Sequence, residues 1–430
     1  MKTFCGLAFS SGLILLLTSC SYQAPYLDFC REFESVPPVE MIDQGVGVVF
    51  EDPGTIMVQH GFGCARSAGG KIIKVEQSLG LPDYANQATV ILNGWRMNYE
   101  DDDHHLLVVT SALGKIKFDQ TREAKKLNWE AVGLLRDDSN RKFGWCYYYT
   151  VIAWNQNKLQ AVVDNGDADH FCKSGGGLDN FFVTFNKNTT TALSCFLSFL
   201  QNPNFASSRR VGILPRGFGF GWPHDHHILQ VACGLDPSET FITNRKYKKA
   251  EGEVAPLQTP NGRAGGGFVS WNTAAIFKDN AGRRDYMFGE LVSGMAGADV
   301  DVLQPAFPIL PQEDMGFFGA CLGEGPGIKT EQIVIDNIPY AYAIPMLTGW
   351  QLVYPCDDHH VKEIGIWIDD LHYEVPPNAG AGTLRYRLSS VLQDTSNNGH
   401  SYSHKVSILE LKPLAKPIVK PPLSSRQTQD

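Results

Sequence analysis

Residues 94–105 read GWRMNYEDDDHH, residues 349–360 read GWQLVYPCDDHH, and residues 217–227 read GFGFGWPHDHH. The three stretches share a glycine, an aromatic–apolar–aromatic row at alternate positions, a turn, and Asp-His-His before an apolar run. Seven of the chain's 12 histidines lie in them. A motif that returns at intervals of 123 and 132 residues marks tandem units rather than one large enzyme core.

Read as strands, the first halves place Trp95, Met97 and Tyr99 on one face, and likewise Phe218, Phe220 and Trp222, and Trp350, Leu352 and Tyr354. Such rows are the inward face of a sandwich sheet. The alternative is a platform on which sugar rings stack, with Trp95, Trp222 and Trp350 as its ligand-binding residues. The turns follow at Glu100-Asp101-Asp102, Pro223-His224 and Pro355-Cys356-Asp357. If the next strand starts at the aspartate, the second histidines, His105, His227 and His360, share parity with Leu107, Leu229 and Ile364 and face inward. His104, His226 and His359 then face outward and are the first candidates for ligand binding. On this reading each motif writes a hairpin.

Asp103 with His105, Asp225 with His227, and Asp358 with His360 stand at i, i+2. Such a pair can satisfy itself at a strand entry and fix the register. The competing assignment is a metal site, with zinc as the natural divalent ion for imidazole and carboxylate donors. Adjacent histidines on a straight strand diverge, so one pair alone cannot chelate. The sequence is not H-E-x-x-H and carries no G-x-S-x-G.

Further along, Leu135-Arg136-Asp137-Asp138-Ser139-Asn140 lies 33 residues after His104, counted to Asp137. Leu392-Gln393-Asp394-Thr395-Ser396-Asn397 lies 35 after His359, counted to Asp394, and Phe277-Lys278-Asp279-Asn280 is a looser counterpart. These are turn residues between apolar runs. Short strands and many turns, with Gly 42 and Pro 24 among 430 residues, predict a mainly β chain: three tandem antiparallel β-sandwich, jelly-roll-like modules built on a repeated hairpin motif. The expected limits are 41–165, 166–308 (with insertions) and 309–414. Ala192 to Leu200 reads as a short helix stopped by Asn202-Pro203.

The N-terminus adds an address. Lys2 precedes the apolar run Leu7 to Leu17, which has signal-peptide proportions, and then Leu17-Thr18-Ser19-Cys20. The tetrapeptide resembles the lipobox of bacterial lipoproteins. The resemblance implies cleavage of residues 1–19, lipidation of Cys20, and a protein exported and held at the bacterial cell envelope, at the outer membrane in a diderm cell. Residues 20–40 are then a tether and 415–430 a Pro- and Lys-rich disordered tail. Eight cysteines would remain beside Cys20, an even count that suits disulfides. A net charge of −9 argues against nucleic acid as a partner. The expected role is a binding or scaffold protein for carbohydrate or protein, not an enzyme, because catalysis needs an asymmetric set of groups and not three equal ones. A metal-dependent envelope hydrolase and a self-associating structural component are the alternatives.

Overall fold

The computed structural model describes residues 36–412 apart from 122–123, 166–180, 186–190, 201–210, 244–246, 249–253, 256–266, 281–285, 304–326, 340–341, 356, 375–380 and 397. The signal segment, Cys20, most of the tether, the C-terminal tail, and Cys30, Cys172, Cys321 and Cys356 lie outside the described residues. No helix occurs among the described residues. In chain order the strands are β1 (Asp43–Asp52), β2 (Ile56–Arg66), β3 (Ile73–Leu81), β4 (Gln87–Tyr99), β5 (Leu106–Gln120), β6 (Lys125–Arg136), β7 (Phe143–Trp154), β8 (Val162–Asp164), β9 (Phe181–Phe185), β10 (Thr191–Leu200) and β11 (Val211–His226). There follow β12 (Gln230–Thr243), β13 (Tyr247–Lys248), β14 (Val254–Ala255), β15 (Gly267–Lys278), β16 (Tyr286–Ala296), β17 (Val300–Leu303), β18 (Lys329–Pro339), β19 (Tyr342–Val353), β20 (Glu363–Glu374), β21 (Ala381–Gln393) and β22 (Ser401–Leu411).

The mainly β, sandwich-like architecture follows the expectation. Three antiparallel sheets carry it, in the orders β1-β2-β7-β4-β20-β21-β18, β3-β6-β5-β11-β16-β8 and β10-β15-β12-β19-β22-β17. Around each motif the same pairing returns. The strand ahead of the motif turn pairs with the last strand of its group (β4 with β7, β11 with β16, β19 with β22). The strand after the turn pairs with the next long strand of its group (β5 with β6, β12 with β15, β20 with β21). The two layers face each other over a common apolar core. In the first group Trp145 on β7 donates to Ser111 on β5 at 3.2 Å, and Trp129 on β6 meets Tyr149 on β7 edge-on at 5.1 Å.

The motif is not a hairpin, and this corrects the sequence reading. β4 and β5 lie in different sheets, as do β11 and β12, and β19 and β20. Each motif strand gives its second edge to another copy: β5 pairs with β11, β12 with β19, and β20 with β4. The series closes on itself, since the last copy pairs back to the first. The segment between β4 and β5, residues 100–105, is long enough to cross between layers, where a two-residue loop would force the strands to pair.

The motif glycine explains how these seams form. In each copy the ladder slips one residue before it, between Leu92 and Gly94, Pro215 and Gly217, and Leu347 and Gly349. The bulged residues Asn93, Arg216 and Thr348 are buried. A bulge bends its strand and sharpens its twist, which turns the following aromatic row toward the other copies. Gly94 has φ +147, and a Cβ there would sit 2.2 Å from Trp367 Cα on β20. At Gly217 a Cβ would meet that of Ala112 on β5 at 2.3 Å.

Two further outcomes concern single segments. Residues 191–200 form β10 against β15, not the expected helix. The run is apolar enough for either, and an available strand edge decides it, since sheet pairing overrides local propensity. Cys64 on β2 and Cys146 on β7 face each other in register and form a disulfide, while Cys233 is a buried thiol.

Candidate functional site at the junction of the motifs

The aromatic rows run inward. Trp95, Met97, Tyr99, Phe218, Phe220, Trp222, Trp350, Leu352 and Tyr354 are all buried. Trp95, Phe218 and Trp350, one from each copy, touch one another with ring centroids 4.9, 5.4 and 5.2 Å apart. Three strands that approach as neighbours in a cycle must bring equivalent side chains together, and large aromatics fill that space with the least polar cost. The burial of Trp95, Trp222 and Trp350 removes them as a stacking platform for sugars.

Beyond this layer the Asp-His-His segments converge, and they do so with the histidines in the opposite sense to the expectation. The first histidines face inward. The His226 side chain is 3 % exposed, that of His104 15 % and that of His359 27 %. The second histidines are the accessible ones: His105 is 41 %, His227 38 % and His360 39 % exposed. Strand parity does not carry through these segments, because they are not continuous strand. His104 and His359 sit in isolated bridges, to Val361 and Ile228 of neighbouring copies, so the alternation is reset before the next strand begins.

Each first histidine is held by the aspartate of the downstream turn in its own copy. Nδ1 of His104 lies 3.3 Å from Asp137, that of His226 2.9 Å from Asp279, and that of His359 3.3 Å from Asp394. The three aspartates are buried. Two of them also cap their turns: Asp137 accepts from Arg141 N and Asp394 from Asn398 N, both at 3.1 Å. Aromatic rings close the pockets, Tyr99 against His104 and Tyr354 against His359, each at 4.9 Å. The two tyrosine hydroxyls donate to the carbonyls of His105 and His360 at 3.4 and 3.1 Å. Burial first, and then neighbouring aspartates, push both phenols well above their ordinary pKa, so both stay protonated donors. Asp137, Asp279 and Asp394 are the site residues that the sequence reading missed. It took them for turn formers, although their recurrence at a similar distance from the first histidine was visible.

The second histidines meet. The centroids of His105 and His227 are 4.7 Å apart, and those of His105 and His360 and of His227 and His360 4.5 Å. One nitrogen from each ring lies within 4.8 Å of the other two. Behind each ring stands the motif aspartate of the next copy: Asp225 is 3.9 Å from His105 Nδ1, Asp358 3.5 Å from His227 Nδ1, and Asp103 3.4 Å from His360 Nδ1. The i, i+2 partners named in the sequence reading are therefore exchanged around the cycle. Each of these carboxylates also accepts a backbone N–H from the turn it abuts, Asp225 from Asp138 at 3.4 Å, Asp358 from Asn280 at 2.9 Å, and Asp103 from Thr395 at 3.1 Å.

Two of these carboxylates differ electrostatically. Partial burial works against the charge of Asp103, but hydrogen bonds from Thr395 and His360 outweigh it and hold the carboxyl below its ordinary value. Asp225 is pushed up to about 6, by burial first and then by the Asp138 carboxyl beside it. Beside burial, the difference comes from the facing residue, which is Asp138 against Asp225 and Thr395 against Asp103.

The chain matches no family model, no curated protein and no solved structure, so its own geometry has to carry the functional reading.

Proposed function

We propose that the chain is an exported lipoprotein, anchored through Cys20 to the bacterial envelope, where it acts as a disulfide-bearing binding or scaffold protein for carbohydrate or protein. The observation that carries the scaffold reading is the closed cycle of strand exchange, in which β20 returns to β4. It ties the sandwiches into one body and repeats one polar arrangement around a single point. Equal groups around a centre suit holding better than the asymmetric attack that catalysis requires. The Cys64–Cys146 disulfide supports an oxidising compartment. Val36, Val39 and Met41 pack on the body, so about 15 residues separate Cys20 from it, a length of chain that spans at most about 50 Å.

The test is metabolic labelling with palmitate followed by membrane fractionation, and capture of bound envelope glycans or proteins on the mature chain. Label and membrane retention lost in Cys20→Ser would support the anchor. An unlabelled chain in the cytoplasm would overturn it. The rival reading, a metal-dependent envelope hydrolase, draws on the three converging imidazoles; turnover of envelope esters or glycosides that disappears with His360→Gln would favour it.

A further inference from the structure

We infer that His105, His227 and His360 together bind one divalent transition-metal ion of the zinc class, as a clasp where the three motif copies meet. The inference does not rest on the envelope anchor.

Each second histidine meets a motif aspartate of the next copy through Nδ1. Register and closure at each motif are already served by the first histidines, which are turned inward onto Asp137, Asp279 and Asp394. Yet the second histidines come from segments far apart in the chain and bring one nitrogen each to within 4.8 Å of the others. Three exposed imidazoles do not gather for apolar burial.

The surroundings are those of a metal ligand set. In each ring Nδ1 faces a carboxylate, so Nε2 is the nitrogen that addresses the centre. A histidine ligand held by a carboxylate through its other nitrogen has its tautomer and ring orientation fixed and its basicity raised. Here a carboxylate of the neighbouring copy stands behind every ring, hydrogen-bonded at His360 and 3.5 and 3.9 Å away at His227 and His105. Zinc–nitrogen bonds of about 2.0–2.1 Å set tetrahedral ligand nitrogens about 3.3 Å apart. The separation of up to 4.8 Å therefore closes by tilts of about an ångström per ring, which roughly 40 % exposed side chains can make. Imidazole donors select zinc, copper, cobalt or nickel over magnesium or calcium. Three protein ligands leave a fourth position for water or a ligand from solution.

The experiment uses the mature chain stripped with chelator and titrated with cobalt(II), then zinc(II). One cobalt per chain is expected, with the visible absorption of a four-coordinate nitrogen–oxygen site, displaced by zinc. His360→Gln should weaken binding at least about 100-fold, and Asp103→Asn by about 10–100-fold through loss of the carboxylate behind the ring. His372→Gln, which removes an exposed histidine paired with Asp370 away from the centre, should bind as the parent does. The parent chain alone gives a second reading, since zinc should raise its Tm. No cobalt spectrum and no zinc-dependent shift in the parent would overturn the inference. So would binding that His360→Gln leaves intact, or that His372→Gln weakens equally.

Discussion

His360 and Asp103 stand 257 residues apart in the chain and meet at the seam that closes the cycle, with Nδ1 3.4 Å from Oδ1. The same carboxylate accepts from Thr395 N at 3.1 Å and Thr395 Oγ1 at 2.8 Å. One side chain of the first copy thus gathers three donors of the third.

Replacing Asp103 with alanine should strand those donors and loosen the closing seam. We expect a loss of about 0.5–1.5 kcal/mol, the net worth of a hydrogen bond, because water can reach the exposed Thr395 donors. Thr395→Val removes only the hydroxyl donor and should cost about 1 kcal/mol or less. Urea unfolding in chelator, so that no metal contributes, measures both. Equal stability of Asp103→Ala and the parent would contradict the role given to this seam.

Gly94 offers a sharper steric test. A Cβ there would lie 2.2 Å from Trp367 Cα, at a φ that side-chain-bearing residues avoid. Gly94→Ala should cost about 3–5 kcal/mol from overpacking and backbone strain together. Gly47→Ala on the outer strand β1 meets no atom within 4 Å and should be near neutral. Thermal unfolding of the pair decides the matter, and similar Tm values would show that β4 and β20 do not approach as described.

Stability should also fall in mild acid. Burial first, and then the Lys329 ammonium, lower His400 from its ordinary 6.5 to about 4. Burial lowers His60 to about 4 as well, against the hydrogen bond to the Ile368 carbonyl and the Asp369 charge. The unfolded chain takes up these protons near 6.5 and the folded chain only near 4. The stabilisation is therefore complete above pH 6.5 and is lost as pH drops toward 4. Each histidine should account for about 1–2 kcal/mol between pH 7.5 and 5. His400→Gln, compared with the parent by urea unfolding at both pH values, should show a correspondingly smaller acid loss; an unchanged difference would refute the assignment.

Local facts were legible in the sequence and long-range ones were not. Alternation alone put Trp95, Met97 and Tyr99 on a buried face, and turn chemistry located Asp137 and Asp394 between strands. The partner of β4 could not be read, because β7 and β20 offer it similar apolar edges and only the bulge at Asn93 and the bare backbone of Gly94 admit both. The orientation of the histidine pairs was misread for a related reason. Parity counts hold only along unbroken strand, and the cross-copy bridges at His104 and His359 interrupt it. The convergence of His105, His227 and His360 is a property of the cycle and is encoded in no single segment.

The closing of β20 onto β4 also sets a timetable. A chain emerging N-terminus first carries β4 with one edge uncovered until Glu363–Glu374 has followed, and non-local pairings of this span are slow to form. An uncovered edge is an invitation to pair with other chains. Loss of the third motif would bare two edges at once, on β4 and on β12. Such a fragment cannot behave as a shorter version of the whole: the protein counts to three, or it remains open.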